Sequence, residues 1–227
     1  TVHTLFGHNA SIRSLAWSRD GSRLISASDD SSIRIWNVAT GTLQDVLQGH
    51  RDQVVQAAWN SQGNPVASVS ADGITKIWET PGGPISTLEG PTTRVEQLSW
   101  QPRGNQLASA SRDGDLHIWN VTGRGLSVKL TGYPRQAESL QWTPNGGQQL
   151  VTGERSGVLS IWNTEPNACL RQWQGHEGAA IAVAWHPDGQ WIASTSDYRK
   201  LQIWDLTSTP PQADTRQIPD HAKCVRW

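Results

Sequence analysis

Two series of tryptophans recur at almost constant spacing along the chain. The members of the first series each follow an isoleucine and are Trp36, Trp78, Trp119, Trp162 and Trp204. The members of the second series are Trp17, Trp59, Trp100, Trp142 and Trp185. Successive members of either series are 41 to 43 residues apart. A constant period of this length indicates structural units that stack on one another to bury a continuous core. The sequence therefore predicts five nearly complete repeats.

Each repeat carries the signals of short β-strands. In the first repeat the predicted strands are "SIRSLAW" (11–17), "SRLISAS" (22–28), "SSIRIWN" (31–37) and "TLQDVLQ" (42–48). The glycine of "SRDG" (18–21) suits the positive φ of a tight turn. No stretch has helical periodicity, so we expect an all-β chain. Four-stranded sheets that are apolar on both faces need a neighbour on each face, and the radial arrangement of a β-propeller provides two.

The repeat motifs resemble those of the WD-repeat propeller family over the whole chain. "GH" occurs at 7–8, 49–50 and 175–176, and the third strand of each repeat closes with "IWN", "IWE" or "IWD". The resemblance implies a single propeller domain over 1–227, with repeats at 7–48, 49–89, 90–131, 132–174 and 175–217 and the start of a sixth at 218–227. In this family the first strand usually completes the final blade. We therefore expect an incomplete domain that needs roughly 60–80 further residues to form a seven-bladed ring.

The resemblance also implies a structural tetrad of His, Ser, Asp and Trp in each repeat. Repeat one offers His8, Ser26, Asp30 and Trp36, and repeat two offers His50, Ser68, Asp72 and Trp78. Such a tetrad is a buried hydrogen-bond chain from the Asp through the His and the Ser to the indole N–H. The same residue types form catalytic triads, but a triad is needed once, and this set recurs at the repeat period. No G-x-S-x-G elbow holds these serines either.

The later repeats retain only part of the tetrad. The retained residues are Ser109, Asp113 and Trp119 in repeat three, Thr152 and Trp162 in repeat four, and His176, Ser194 and Trp204 in repeat five. Pro91 and Tyr133 stand in place of the His, and Ser156 and Tyr198 in place of the Asp. We expect water or a neighbouring arginine to replace the missing partner of Asp113. We also expect the turn that contains Tyr198 and Arg199 to be remodelled.

Partner contacts in the family gather on the face that bears the "GH" loop and the Asp turn. Carried over to this chain, the candidate partner-binding residues are Arg13, Asp29, Gln53, Arg94, Glu96, Arg112, Gln136, Glu138, Arg155 and Asp197, with Tyr198 and Arg199 as a possible hot spot. The planar fork of arginine suits contacts with carboxylates and phosphates. The alternative is a solvated rim where these charges pair only with one another.

Composition narrows the classes of function. The chain has 19 basic and 20 acidic residues, which argues against nucleic-acid binding, and no apolar run approaches the roughly 20 residues of a membrane span. Two cysteines cannot form a disulfide framework, which favours a reducing compartment such as the cytoplasm. No set of residues predicts a metal or a cofactor.

These observations favour a non-catalytic scaffold or sensor propeller, which presents its rim to a protein partner or to another domain of a larger polypeptide. The alternative is a propeller enzyme with a hydrolase site in the central channel, for which Glu96 and Glu138 are the best carboxyl pair.

Overall fold

Five four-stranded antiparallel sheets make up the regular structure of the described residues. The structure is a computed structural model that describes residues 2–82, 85–88, 93–122, 125–130, 137–218 and 224–225, without the side chains of 85 and 125–130. Within each sheet the strands hydrogen-bond in chain order, and we number the sheets as blades one to five. None of the described residues forms a helix long and apolar enough to cross a membrane.

The strands follow the predicted repeats. Blade one contains β1 (Ile12–Trp17), β2 (Arg23–Ser28), β3 (Ser32–Asn37) and β4 (Thr42–Gln48); blade two contains β5 (Val54–Trp59), β6 (Val66–Ser70), β7 (Thr75–Trp78) and β8 (Ile85–Leu88). Blade three contains β9 (Val95–Trp100), β10 (Gln106–Ser111), β11 (Leu116–Asn120) and β12 (Gly125–Leu130). Blade four contains β13 (Ala137–Trp142), β14 (Gln149–Glu154), β15 (Val158–Thr164) and β16 (Asn167–Gln174). Blade five contains β17 (Ala180–Trp185), β18 (Trp191–Ser196), β19 (Lys200–Asp205) and β20 (Gln212–Gln217).

Consecutive blades pack face to face through apolar strand residues that point to the same side of each sheet. Ile25, Ile33 and Ile35 of blade one form one buried cluster with Val54 and Trp59 of blade two. Equivalent clusters join blades two and three, three and four, and four and five. Burial of one such aliphatic or aromatic side chain contributes about 1.5–3 kcal/mol. The core is therefore a row of inter-blade layers.

The first strands of successive blades lie next to one another. β1 contacts β5, β5 contacts β9, β9 contacts β13, and β13 contacts β17. The sheets therefore fan outwards from a line of first strands, and the predicted all-β propeller fold with four-stranded antiparallel blades is confirmed.

Trp17 differs from the other members of its tryptophan series. It is 56% exposed, whereas Trp59, Trp100, Trp142 and Trp185 are between 1% and 8% exposed. Each of those four tryptophans packs against the preceding blade, and no preceding blade covers Trp17 in the described part of the chain. The same face of blade one leaves Ile12 and Leu15 exposed. Completion of a seven-bladed ring stays a prediction.

Candidate functional site

In blades one and two the four tetrad side chains form a continuous hydrogen-bond chain. The Trp36 indole donates to the Ser26 hydroxyl at 2.9 Å, and His8 lies 2.7 Å from that hydroxyl and 2.8 Å from Asp30. The corresponding distances in blade two are 2.8, 2.7 and 3.0 Å. Because each serine oxygen accepts from the indole, its own proton points to the His Nε2. The His Nδ1–H then donates to the aspartate.

The aspartates of these tetrads also accept hydrogen bonds from backbone N–H groups of the surrounding loops. Asp72 accepts from the backbone N–H groups of Arg51 at 3.0 Å and Ile74 at 2.9 Å. Burial opposes ionisation of Asp72, but the bonds from Arg51, His50 and Ile74 outweigh it and lower the pKa of the carboxyl. Burial also lowers the pKa of His50, although Asp72 partly opposes that shift. This electrostatic balance favours a neutral imidazole beside a carboxylate.

The tetrad serines are inaccessible to a substrate. Ser26 is 1% exposed and Ser68 is 0% exposed, and each hydroxyl already contacts an indole and an imidazole. A catalytic serine needs room for a substrate carbonyl and an oxyanion hole, and these positions lack that room. Their geometry suits a structural role.

Blade three joins its tryptophan to its serine in the same way and uses a different partner for the aspartate. Trp119 donates to Ser109 at 2.9 Å. Asp113 accepts from the hydroxyl of Ser111 and from the backbone N–H of Asp115 at 3.3 Å. Among the described residues a neighbouring hydroxyl and a backbone N–H contact this carboxyl in place of the expected arginine, and the alternative of a water partner stays a prediction. Pro91, which replaces the His, lies outside the described residues, as does Tyr133 of repeat four.

Blade four contains a buried carboxyl that sequence reasoning missed. Trp162 donates to Thr152 at 3.1 Å, and Glu154, at the end of β14, is 0% exposed. The Glu154 carboxyl accepts from Ser156 at 3.0 Å and from Ser160 at 3.2 Å. Burial raises the pKa of Glu154, and the two hydroxyls only partly oppose that shift. An alignment of the five repeats gives the signal, because Glu154 occupies the position of Ser28, Ser70, Ser111 and Ser196.

Blade five keeps its histidine without the aspartate. His176 lies 2.7 Å from Ser194, to which Trp204 donates at 2.8 Å. The His176 ring is buried, and its Nδ1 has no hydrogen-bond partner among the described residues. Burial, reinforced by Lys200 and opposed by Asp197, lowers the pKa of His176 to about 4.

The turn that contains Tyr198 and Arg199 keeps its backbone geometry, so the expectation of a remodelled turn is wrong. The Arg199 N–H donates to the Ser196 carbonyl at 3.2 Å, as Gly73 does to Ser70 in blade two. Arg199 has a φ of 59° and Gly73 a φ of 80°. Arginine therefore adopts the left-handed conformation that costs a residue with a Cβ about 1 kcal/mol. The turn is fixed by its backbone hydrogen bond, and the side chains at its tip are free to vary.

Two backbone features recur at one end of the blades and support the candidate partner-binding residues. They are a β-bulge in the first strand and a hydrogen bond to that strand from the turn between the second and third strands, and together we call them the rim frame. In every blade the pairing of the first two strands shifts register once, and the extra residue is Arg13, Val55, Glu96, Glu138 or Ile181. Such β-bulges take a side chain out of the normal alternation and re-aim it. The sequence motifs alone gave no sign of these bulges.

The second feature of the rim frame is a backbone hydrogen bond from the turn between the second and third strands to the first strand. The N–H of Asp29 donates to Ser11 at 2.9 Å, Ala71 to Gln53 at 2.9 Å, Arg112 to Arg94 at 2.9 Å, and Asp197 to Ala179 at 3.3 Å. In blade three this bond joins two candidate residues, Arg94 and Arg112, and in blades one, two and five it holds one candidate residue each, namely Asp29, Gln53 and Asp197. Gln136 lies outside the described residues.

The side chains on this frame differ from blade to blade. Arg13 donates from Nε to Asp29 at 2.6 Å in blade one, and Arg94 lies 3.0 Å from Glu96 in blade three. Between blades three and four, one cleft is lined by Arg94, Glu96, Arg112, Ala137, Glu138 and Arg155. In blade five, Tyr198 and Arg199 are exposed. No group of three or more potential metal ligands occurs among the described residues.

Comparison with known proteins gives the family. The family model of the IFT122 first β-propeller matches residues 11–227. The vegetative incompatibility protein HET-E-1 of Podospora anserina is 51% identical over 41 residues, and the retinoblastoma-binding-like protein E of Dictyostelium discoideum is 40% identical over 42 residues. Each match covers 18% of this chain, and the matches span 3% and 8% of those two proteins. Both matched lengths equal one repeat. The chain belongs to the family of the IFT122 first β-propeller and is a β-propeller of the WD-repeat type.

Proposed function

We propose that this propeller is a non-catalytic interaction scaffold or sensor, which presents its rim to a protein partner or to another domain of its own polypeptide. The observation that carries the proposal is the repeated frame at the rim. The bulge and the backbone bond at about 2.9 Å recur, while the side chains on them change from one blade to the next. Variable side chains on a rigid frame are typical of recognition surfaces.

The burial of the tetrads supports a scaffold over a hydrolase. The serines that resemble nucleophiles are enclosed between strands, and Glu96, one of the two carboxyls considered for a channel site, is engaged by Arg94 at 3.0 Å. Both cysteines, Cys169 and Cys224, are free and exposed, which suits a reducing compartment such as the cytoplasm.

The test compares the two ends of the blades in the full-length protein. The rim variant carries Arg112→Ala, Arg155→Ala, Tyr198→Ala and Arg199→Ala. The control variant carries Arg19→Ala and Arg103→Ala, which lie in turns after the first strands and therefore at the opposite end. Proteins captured by the unmodified protein are quantified by mass spectrometry.

We expect at least one captured protein to fall about tenfold or more with the rim variant and to be retained by the control, because hot-spot residues dominate interfaces. Equal capture by both variants at unchanged thermal stability would refute the rim as the interaction face.

A further inference from the structure

The cleft between blades three and four gathers five charged side chains in one small volume. Its volume is about 300 Å³, and it is lined by Arg94, Glu96, Arg112, Ala137, Glu138 and Arg155. This is room for one or two side chains of a partner, and it lies at the lower limit of small-ligand sites. We name it the blade three–four cleft.

The charges in this cleft are arranged in two levels. Glu96 and Glu138 are the bulge residues of β9 and β13, and both are half-buried. Arg112 and Arg155 belong to the turns between second and third strands, and both are exposed. The carboxylates therefore lie on the first strands, and the two exposed arginines lie in the turns at the rim.

Blade one shows how the same frame neutralises its charges. There the bulge residue Arg13 pairs with the turn residue Asp29, with 2.6 Å between Nε and Oδ1. In blade three the bulge residue is Glu96 and the turn residue is Arg112, but Glu96 pairs with Arg94. Arg112 makes no ion pair or side-chain hydrogen bond within the part of the chain that the structure describes. The turn residue of blade one is therefore paired, and that of blade three is available.

The balance of charge in the cleft is positive, with three guanidinium groups against two carboxylates. An exposed guanidinium at the edge of a concave site forms bidentate, charge-assisted hydrogen bonds with carboxylates. Glu138 lies at the half-buried level of the same cleft and would repel a second anion that entered deeply. The arrangement fits an anionic group that approaches from the rim.

We propose that the blade three–four cleft binds an acidic segment of a partner protein, with a partner Asp or Glu carboxylate held by Arg112 and with Arg155 contributing to the positive field. The proposal rests on the proposed interaction function and names the chemistry of the partner. It assigns the specificity of this rim to the turn arginines, and the half-buried glutamates limit how deeply an anion can enter.

The experiment measures binding of labelled peptides to the full-length protein by fluorescence anisotropy. The probe peptide contains Asp-Glu-Glu-Asp between flexible Gly-Ser ends, and the matched neutral peptide contains Asn-Gln-Gln-Asn. We expect Arg112→Gln to weaken binding of the acidic peptide about tenfold, the loss typical of one charge-assisted contact. We expect Glu138→Gln to strengthen it about threefold, because a neighbouring like charge is removed.

The matched control is Arg216→Gln, which removes the same charge from the exposed strand β20, where Arg216 pairs with Asp214 at 3.1 Å. An equal loss with Arg216→Gln and Arg112→Gln would overturn the proposal, because binding would then follow net charge alone. Equal binding of the acidic and neutral peptides would also overturn it, as would binding only of a peptide with phosphoserine in place of the acidic residues.

The two proposals fail in different ways. If the acidic peptide does not bind but captured proteins still depend on the rim residues, the cleft assignment is wrong and the scaffold function stands. If the acidic peptide binds through Arg112 but no captured protein depends on the rim residues, the acidic-segment chemistry stands and the scaffold function is wrong.

Discussion

Blades two and four bury the same tryptophan against a hydroxyl but bring a carboxyl to the rim in different ways. In blade two, Asp72 lies in the turn and reaches Ser68 through His50. In blade four, Ser156 occupies the position of that aspartate, and the carboxyl of Glu154 comes from the end of the second strand. The hydrogen bond between indole and hydroxyl recurs at 2.8 and 3.1 Å. The His–Asp pair of blade two is replaced in blade four by a glutamate that accepts from two serines.

The two carboxyls also differ in their electrostatics. Asp72 receives two backbone N–H bonds besides its histidine, and its pKa is lowered. Glu154 accepts from two serine hydroxyls and from no charged group among the described residues, and burial raises its pKa. In these two blades, therefore, the number and kind of hydrogen-bond donors decide whether the ionised form of a buried carboxyl stabilises or destabilises the blade.

Removal of the hydroxyl that accepts from the buried indole, Ser68 in blade two or Thr152 in blade four, should lower stability most. Ser68→Ala removes the buried partner of the Trp78 indole N–H and of the His50 Nε2, so we expect a loss of about 3 kcal/mol in the free energy of unfolding. Thr152→Val removes a hydroxyl that accepts from the Trp162 indole and contacts no histidine among the described residues, and we expect a loss of about 1–2 kcal/mol. Urea denaturation of the purified protein measures both losses.

The control for that comparison is Ser22→Ala. It removes an exposed hydroxyl that donates to Asp20, and surface changes of this kind stay within about 0.5 kcal/mol. If Thr152→Val proved as costly as Ser68→Ala, the histidine would add nothing to the blade two chain, and the contrast between the blades would fail.

At neutral pH the ionised Glu154 should lower the free energy of unfolding, whereas the ionised Asp72 should raise it. Because the folded pKa of Glu154 is raised, its stabilising contribution is present below the unfolded pKa of about 4.3 and is lost as the pH rises through the folded value. Glu154→Gln abolishes that loss, and its amide can donate to the same serine oxygens. We therefore expect Glu154→Gln to raise the free energy of unfolding at pH 7 by on the order of 1 kcal/mol.

Asp72→Asn is the matched variant, and we expect it to lower the free energy of unfolding at pH 7. The folded pKa of Asp72 is lowered, so its contribution is present above the unfolded pKa of about 3.9 and is lost as the pH falls through the folded value. Unfolding free energies measured from pH 3 to pH 7 should show both variants approaching the unmodified protein as the pH falls, one from above and one from below. A Glu154→Gln variant that is less stable at pH 7 would contradict the account of blade four.

The sequence was sufficient to predict the architecture because the same motifs occur in each of the five repeats. The tryptophan series, the glycine turns and the third-strand endings mark the same units five times, and the strands follow these units. It was insufficient for Glu154, since a glutamate at the end of a strand is usually solvated, and its burial depends on Ser156 and Ser160 from the next strand and turn. The bulky side chains of Tyr198 and Arg199 predict a remodelled turn, but the backbone bond from Arg199 to Ser196 holds the same turn as in blade two.

The substitution Tyr198→Asp, which places an aspartate at the tetrad position of blade five, should change stability least. His176 already bonds to Ser194 as His50 bonds to Ser68, and its Nδ1 has no partner among the described residues. A carboxylate at residue 198 would stabilise the imidazolium, so we expect the pKa of His176 to rise from about 4. That pKa is below the unfolded value of about 6.5, so the unmodified protein loses stability as the pH falls from about 6.5 to about 4. The variant should lose less, by under about 1 kcal/mol near pH 5.

NMR titration of the His176 ring protons checks this prediction, with Tyr198→Asn as the control that has the size of aspartate without its charge. A pKa that rises with Asp and not with Asn would show that blade five retains the cavity of a complete tetrad and has lost only the carboxyl. A pKa unchanged by Asp would mean that the turn at 197–199 directs its side chains away from His176. In that case blade five would differ from blade two in where its rim points as well as in which groups it carries.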